Sequence, residues 1–397
     1  MDLNTVKDMD VKGKRVFVRV DFNVSLDESG NVKKDTKIRA SLPTIQYLLD
    51  NGAKVILASH LGRPKGQVQE KFSLKPVAKR LERLLGRPVM MAGDCVGPNP
   101  REIVAGMKPG DVVVLENIRF HPEEEANDPA FAKQLAELAE IYVSDAFGTA
   151  HRAHASTTGI AEYLPAAAGF LMEKEYRHLD KAVRAPEKPY VIVVGGAKAD
   201  KTGIIENLLD KVDTVLIGGG MAVTFLKAQG HDVGRSPVED DKVELAKNIM
   251  ESAKQKGVKI ILPVDVVVAD GISPEARAEN VDVTRVPADK MILDIGSKTA
   301  EIFADAIKTA KTVFWNGPLG VFEIPAFARG TETIARAVAE SGASAIIGGG
   351  ESAAAMEQVG ITDKIYISTG GGASLKFLEG KGLPGIKALE KKNVGVR

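Results

Sequence analysis

Ten short runs rich in Val and Ile, alternating with stretches of helical period, constrain this 397-residue chain more than any other feature. In the first half they are Arg15–Val20, Lys54–Ala58, 111–115 and 141–143. In the second they are Tyr190–Val194, Thr214–Ile217, 259–262, 312–315, 344–347 and 364–367. The runs are continuously apolar, as in strands buried on both faces. Segments such as 129–140, 243–256 and 331–341 read as helices. Strand and helix in alternation predict an α/β fold of parallel sheets with helices on both faces. Length favours two such sheets over one. The charged stretch 172–189 ends in a Pro-containing segment before the strand at 190, and suits a helical connector. The expected division is 1–172, a hinge at 173–189, and 190–379.

Composition narrows the function classes. Lys plus Arg and Asp plus Glu are 53 each, so a general electrostatic nucleic-acid binder is disfavoured. A single cysteine, Cys95, forms no internal disulfide. The N-terminus lacks a signal-peptide core, and no apolar run approaches the ~20 residues of a membrane span. A cytoplasmic protein without membrane partners is expected.

In an open parallel sheet, ligands bind beyond the carboxyl ends of the strands. In the first half those ends carry Asp21-Phe22-Asn23, His60-Leu61-Gly62-Arg63, Asn117 to Arg119, and Asp145 followed by His151 and Arg152. Guanidinium groups converging on one rim suit a small, multiply charged anion. His151 and His154 lack a partner at zinc spacing, so packing or anion contact is expected of them. In the second half the ends carry glycine instead: Gly195-Gly196-Ala197-Lys198, Gly218-Gly219-Gly220, Gly348-Gly349-Gly350 and Gly370-Gly371-Gly372, three of them directly before a helical pattern. These junctions hold much of the glycine excess, 39 residues in all. Backbone N–H groups at helix starts favour phosphate. Repetition in one half points to a nucleotide site, although tight packing can explain one junction. No GxxxxGK[ST] is present. In the loop after 312–315, Glu323 is a candidate acceptor for ribose hydroxyls.

An anion cup and a nucleotide site together suit phosphoryl transfer, which needs fixed cations and amides rather than a nucleophile triad. Arg39 and the lysines of GGAKADK are candidate clamps. The other classes are a nicotinamide dehydrogenase, which would leave the arginine cup and the glycine junctions without a reason, and a non-catalytic sugar-phosphate or nucleotide-binding protein decayed from an enzyme, which could keep the same folds.

The motifs RVDFNV, KIRASLPTI, SHLGRPKG, ENIRFHPEE, DAFGTAHRAHAS, GGAK, IGGGMAVTF, WNGPLGVFE and STGGGASL run in order along the chain, and together they resemble the phosphoglycerate kinase family. The resemblance implies reversible transfer between 1,3-bisphosphoglycerate plus ADP and 3-phosphoglycerate plus ATP, with magnesium. It also implies a monomer of two Rossmann-like domains closing about a hinge, with the tail at about 380–397 returning to the first. It assigns Asp21, Phe22, Asn23, Arg39, His60, Leu61, Gly62, Arg63, Arg119 and Arg152 to 3-phosphoglycerate. Ala197, Lys198, Lys201, Gly219, Asn316, Glu323, Gly350, Glu351, Ser352 and Ala353 go to the nucleotide. Arg39, Lys198, Gly371 and Gly372 would serve the migrating phosphoryl group, and Glu351 the metal. Three departures stand out. Two residues separate Lys198 from Lys201 where the family has three. Glu351 replaces a usual Asp, and Ser297 a usual Pro.

Overall fold

The computed structural model describes residues 3–360 and 365–390. They form two compact units, one of residues 3–177 with 382–390, the other His178–Lys381.

Unit 1 is built on a six-stranded sheet. Its strands are β1 (Arg15–Val20), β2 (Lys54–Ala58), β3 (Met90–Met91), β4 (Val112–Val114), β5 (Ile141–Asp145) and β6 (Ala166–Ala168), in the order β3-β4-β2-β1-β5-β6 and all parallel. β1 is central because it can be buried on both faces. Val18 lies between Leu57 and Val143 in register, and all three are inaccessible to solvent. Each such side chain contributes about 1.5–3 kcal/mol on burial. β3 and β6 were not expected. One has two residues and the other is three alanines, too short and too weakly strand-forming to stand out. The helix Thr36–Asp50 connects β1 to β2 and carries Arg39 in its first turn. The helix expected over 129–140 ends at Ala136, while Asp128 caps its start by accepting from the Phe131 N–H at 2.8 Å.

Unit 2 holds β7 (Tyr190–Val194), β8 (Thr214–Ile217), β9 (Lys259–Ile261), β10 (Asp265–Ala269), β11 (Glu279–Asp282), β12 (Met291–Ile295), β13 (Thr312–Asn316), β14 (Ser344–Gly348) and β15 (Tyr366–Ile367). Six form a parallel sheet in the order β15-β14-β13-β7-β8-β9, and they are the six runs expected. Lys364, expected to open the last strand, lies outside the described residues. From β7 the chain winds towards β9, and from β13 towards β15. The connections therefore diverge between β7 and β13, which opens a crevice at their carboxyl ends.

A separate antiparallel sheet, β11-β10-β12, was not expected. Only Leu262, Pro263 and Val264 separate β9 from β10, too few for a crossover. The chain turns out of the large sheet there. β11 alternates half-buried and exposed residues rather than running apolar, which hid it.

The helix Phe170–Arg184 begins in unit 1 and ends in unit 2. Asp145, at the end of β5, caps its start: Oδ1 accepts from the Leu171 N–H at 2.9 Å and the Met172 N–H at 3.3 Å. The described part of the tail lies in unit 1. Leu3 bridges Glu390, and the Gly385 N–H donates to the Ala150 carbonyl at 2.9 Å.

Candidate active site

The unit 1 rim follows directly from the strand ends. Beyond β1, Asp21 Oδ2 pairs with Lys37 Nζ at 2.8 Å, and Asn23 Oδ1 accepts from the Gly62 N–H at 2.9 Å. Beyond β2, His60 is buried with Nδ1 3.2 Å from Arg19 Nη2. Burial, with the charges of Arg19, Arg119, Lys37 and Arg152, holds its pKa well below the ordinary imidazole range. The ring is neutral at pH 7.

Arg119 is only 4 % exposed, an unusual place for a guanidinium. Its Nη1 donates to the Gly62 carbonyl at 3.2 Å, and Nε stands 3.2 Å from Glu125 Oε1. Burial lowers its pKa to about 10, opposed by Glu125 and assisted by Arg19 and Arg152. It stays charged at neutral pH. Arg152 Nε donates to His151 Nε2 at 3.2 Å. Asp21, Asn23, Gly62, His60, Arg119 and Arg152 are thus brought to one rim, with Lys37 as an unanticipated member.

Other expected residues behave differently. Arg63 is exposed. Arg39 is exposed too, with Nε on Asp35 Oδ1 at 2.9 Å, and Asp35 Oδ2 also binds Arg80 Nη2 at 2.6 Å. Phe22 and Leu61 bury their side chains in the core, so only their backbone is available to a ligand. His154 is buried and held down to about 3 by burial and by Arg119, Arg19 and Arg152.

In unit 2, close backbone contact explains several glycines. The Gly195 N–H donates to the Asn316 carbonyl at 2.9 Å, Gly196 to Pro318 at 2.7 Å and Gly219 to Leu319 at 3.0 Å. These bonds lash the turns after β7 and β8 to the loop after β13. Gly219 has φ +60°, and a Cβ there would lie 2.8 Å from the Pro318 oxygen and 2.9 Å from the Gly196 nitrogen. The turns enclose a cavity of about 260 Å³. Backbone of Gly196, Ala197, Gly219 and Gly220 forms one side; Pro237, Leu293, Pro318 and Val321 supply apolar walls; Glu323 and Glu351 also line it. Pro237 and Leu293 carry no polar signature, so sequence reasoning passed over them.

Asn316, at the end of β13, is buried, and its Nδ2 has no hydrogen-bond partner. It lies against the Gly348 and Gly349 backbone, where a Cβ would come within 2.9 and 3.0 Å. An unpaired buried donor costs about 1–3 kcal/mol, which a ligand oxygen would recover. Glu351 opens the helix Gly350–Val359 with an exposed carboxylate. Gly350 is exposed and Ala353 half-buried in the same first turn, whereas Ser352 is committed to the loop, its Oγ accepting from the Gly317 N–H at 2.7 Å.

The shortened lysine segment separates its two cations. Lys198 is exposed. Lys201 is folded back, its Nζ 2.7 Å from Asp200 Oδ1 and close over the Gly196 backbone. The turn is tethered where the Ala199 N–H donates to Glu239. Gly371, with φ +49°, starts the short helix Gly372–Leu378, and Ser368 and Ser374 hydroxyls lie 2.7 Å apart beneath it.

A larger cavity, about 700 Å³, opens by Asn280, Ser297 and Arg329. The helix amides there are already taken: Ser297 N–H by Asn280 Oδ1, and Lys298 and Thr299 N–H by the Asp265 carboxylate. It is therefore a poor phosphate site. Ser297, unlike proline, makes the first of these bonds. Among the described residues one trio of metal-ligating type lies together, Asp94, Cys95 and His121. His121 Nε2 is bonded to Asp94 Oδ1 at 2.7 Å, and burial pushes the Cys95 thiol well up, so the trio is a packed hydrogen-bonded cluster.

The family model for phosphoglycerate kinase matches residues 6–381. A phosphoglycerate kinase of Moorella thermoacetica is 60% identical over 390 residues, covering 98% of this chain and 99% of the relative. One of Pelotomaculum thermopropionicum is 58% identical over 391 residues, covering 98% and 99%. The solved structure of the Coxiella burnetii phosphoglycerate kinase superposes with a TM-score of 0.90 at 43% identity, over 98% of this chain and 99% of that one. That from Pyrococcus horikoshii gives 0.85 at 36% identity, over 98% of each. The residues at the two rims are those of the motifs read from the sequence, and the match runs nearly end to end: the chain belongs to the phosphoglycerate kinase family, transferases that move a phosphoryl group to and from a carboxyl acceptor.

Proposed function

We propose that this member of the family holds 3-phosphoglycerate or 1,3-bisphosphoglycerate at the unit 1 rim and ADP or ATP in the unit 2 cavity. The carrying observation is that the family motifs fall on the carboxyl ends of the strands in both sheets. Arg63, Arg119 and Arg152 supply cations to the substrate's phosphate and carboxylate, neutral His60 and Asn23 supply hydrogen bonds, and the Gly62 backbone holds Asn23 and Arg119 in place. Asp21 orients Lys37 and accepts from substrate hydroxyl.

On unit 2, Pro318, Val321 and Leu293 pack the base, Glu323 accepts from ribose, the turns at Gly196 and Gly219 let the backbone approach the nucleotide closely, and Asn316 Nδ2 donates to phosphate. Lys201 contacts the nucleotide phosphates. Lys198, Arg39 and the N–H groups of Gly371 and Gly372 neutralise charge on the phosphoryl group as it moves, through interactions strongest in the transition state. Glu351 fits a magnesium ion, being an exposed carboxylate on the cavity that holds the nucleotide. Magnesium with the nucleotide would neutralise phosphate charge. Hinge closure about the connector at 173–189, a monomeric state and a cytoplasmic location belong to the same reading.

Titration calorimetry tests the division. Arg119→Met should abolish 3-phosphoglycerate binding and leave magnesium–ADP binding intact, while Asn316→Leu should do the reverse. A single variant that removes both affinities while remaining folded would refute the assignment of one substrate to each unit.

A further inference from the structure

Beneath the unit 1 rim runs a buried chain of polar groups with no substrate-binding role assigned above. Arg19 on β1, Ser156 and Glu124 are each wholly inaccessible to solvent. Arg19 Nε donates to Ser156 Oγ at 2.8 Å, its Nη1 donates to the Val20 carbonyl, and its Nη2 meets His60 Nδ1 at 3.2 Å. Ser156 Oγ donates to Glu124 Oε1 at 2.6 Å, and the Ser156 N–H donates to Glu124 Oε2 at 2.9 Å.

The direction of every bond is forced. A guanidinium has donors only, so His60 Nδ1 accepts. A neutral ring that accepts at Nδ1 carries its proton on Nε2. A hydroxyl has one proton, and Ser156 Oγ already accepts from Arg19, so that proton goes to Glu124. The chain therefore reads guanidinium, hydroxyl, carboxylate, with a buried cation balanced by a buried anion one hydroxyl away. Burial pushes the Glu124 carboxyl up, and Arg19, the two Ser156 bonds and Arg119 pull it back. His154 Nδ1 is 3.8 Å from Glu124 Oε1, too far for a hydrogen bond, so the carboxylate's close partners belong to the chain.

We propose that Glu124, acting through Ser156 and Arg19, is a positioning residue that fixes His60 as the Nε2–H tautomer, so that the ring offers the anionic substrate a donor rather than a lone pair. Arg119, Arg152 and Lys37 already crowd the rim with charge. A neutral donor adds a hydrogen bond to an anionic oxygen without adding a further mutually repelling cation. The functional half of this inference rests on the assignment of His60 to substrate; the tautomer does not.

Nitrogen-15 imidazole spectra of the full chain read the tautomer directly, with His60→Gln identifying the signal among six histidines. The wild type should show a single Nε2–H form at pH 7. Ser156→Ala should give a mixture and raise KM for 3-phosphoglycerate about tenfold, the scale of one hydrogen bond to a charged group. KM for ATP should not move. Ser156→Thr, which keeps the hydroxyl, should restore the single form. A wild-type His60 in the Nδ1–H form, or averaged between the two, overturns the proposal, and needs no variant to fold. An unchanged tautomer in Ser156→Ala overturns it as well. A shifted tautomer with unchanged KM would instead refute the assignment of His60 to substrate, and the functional half with it.

Discussion

Replacing Gly219 by alanine separates packing from ligand binding in unit 2. Its φ of +60° is left-handed, which costs an L-residue with a side chain about 1–2 kcal/mol. The new methyl would also lie 2.8 Å from the Pro318 oxygen and 2.9 Å from the Gly196 nitrogen and oxygen, against an ordinary contact of 3.4–4 Å. All three are backbone atoms in the cavity wall, so the turn after β7 and the loop after β13 must part by about half an ångström. Overpacking of this kind costs about 1–3 kcal/mol. The two contributions together give about 2–5 kcal/mol. For a unit of roughly 200 residues each kcal/mol lowers the melting temperature by about 2–4 °C, so unit 2 should melt about 4–20 °C lower. Because the displaced atoms line the cavity proposed to hold the nucleotide, ADP affinity should fall at least about tenfold, equivalent to ~1.4 kcal/mol. Affinity for 3-phosphoglycerate should hold, since every perturbed atom belongs to unit 2. Scanning calorimetry and titration with magnesium–ADP measure both effects. Unchanged melting would refute the close approach. Lower melting with unchanged ADP affinity would show that Gly219 serves packing alone.

Three further outcomes are expected. Lys198→Ala should reduce kcat by about 10²-fold or more with little change in either KM, as for other donors to transition-state charge; if Lys201→Ala shows that loss instead, the two roles are exchanged. Arg39→Ala should lower kcat more than it raises KM for 3-phosphoglycerate, and a raised KM with normal kcat would make Arg39 a ground-state binder only. Asp94→Asn should destabilise the protein in a pH-dependent way. Asp94 raises the pKa of His121, and that stabilisation is complete below about pH 6.5 and is lost as pH rises through the folded-state value. The bonds from His121 and the Cys95 N–H outweigh burial and lower the pKa of Asp94, so its own contribution is lost only as pH falls through the acidic range. Melting of Asp94→Asn should therefore differ from wild type more at pH 5.5 than at pH 8.5; equal differences would refute the pairing.

Much of the site was legible because its chemistry sits at strand ends, and strands buried on both faces announce themselves as apolar runs. His60, Arg119 and Gly219 could be placed on a rim from pattern alone, and Arg19 could not. It lies inside a run, RVFVRV, where period and apolarity count it as an interruption. Its burial makes sense only beside Ser156 and Glu124, more than a hundred residues away in the chain. Pro237 and Leu293 were missed for a related reason: an apolar wall has no residue type of its own.

For the two large parallel sheets the amino-acid order alone decides the element type and the sheet class, because these follow from local periodicity and from which residues tolerate a double-sided core; the short strands and the antiparallel sheet β11-β10-β12 lie beyond it. It also decides which side chains stand at the strand ends. Tertiary structure decides which turn meets which. Lys198 reaches solvent while Lys201 folds over Gly196, and Arg39 rests on an aspartate shared with Arg80. It also decides that one imidazole is held neutral among cations. Such outcomes depend on desolvation and on distances between residues remote in sequence, quantities that exist only once the chain has closed on itself.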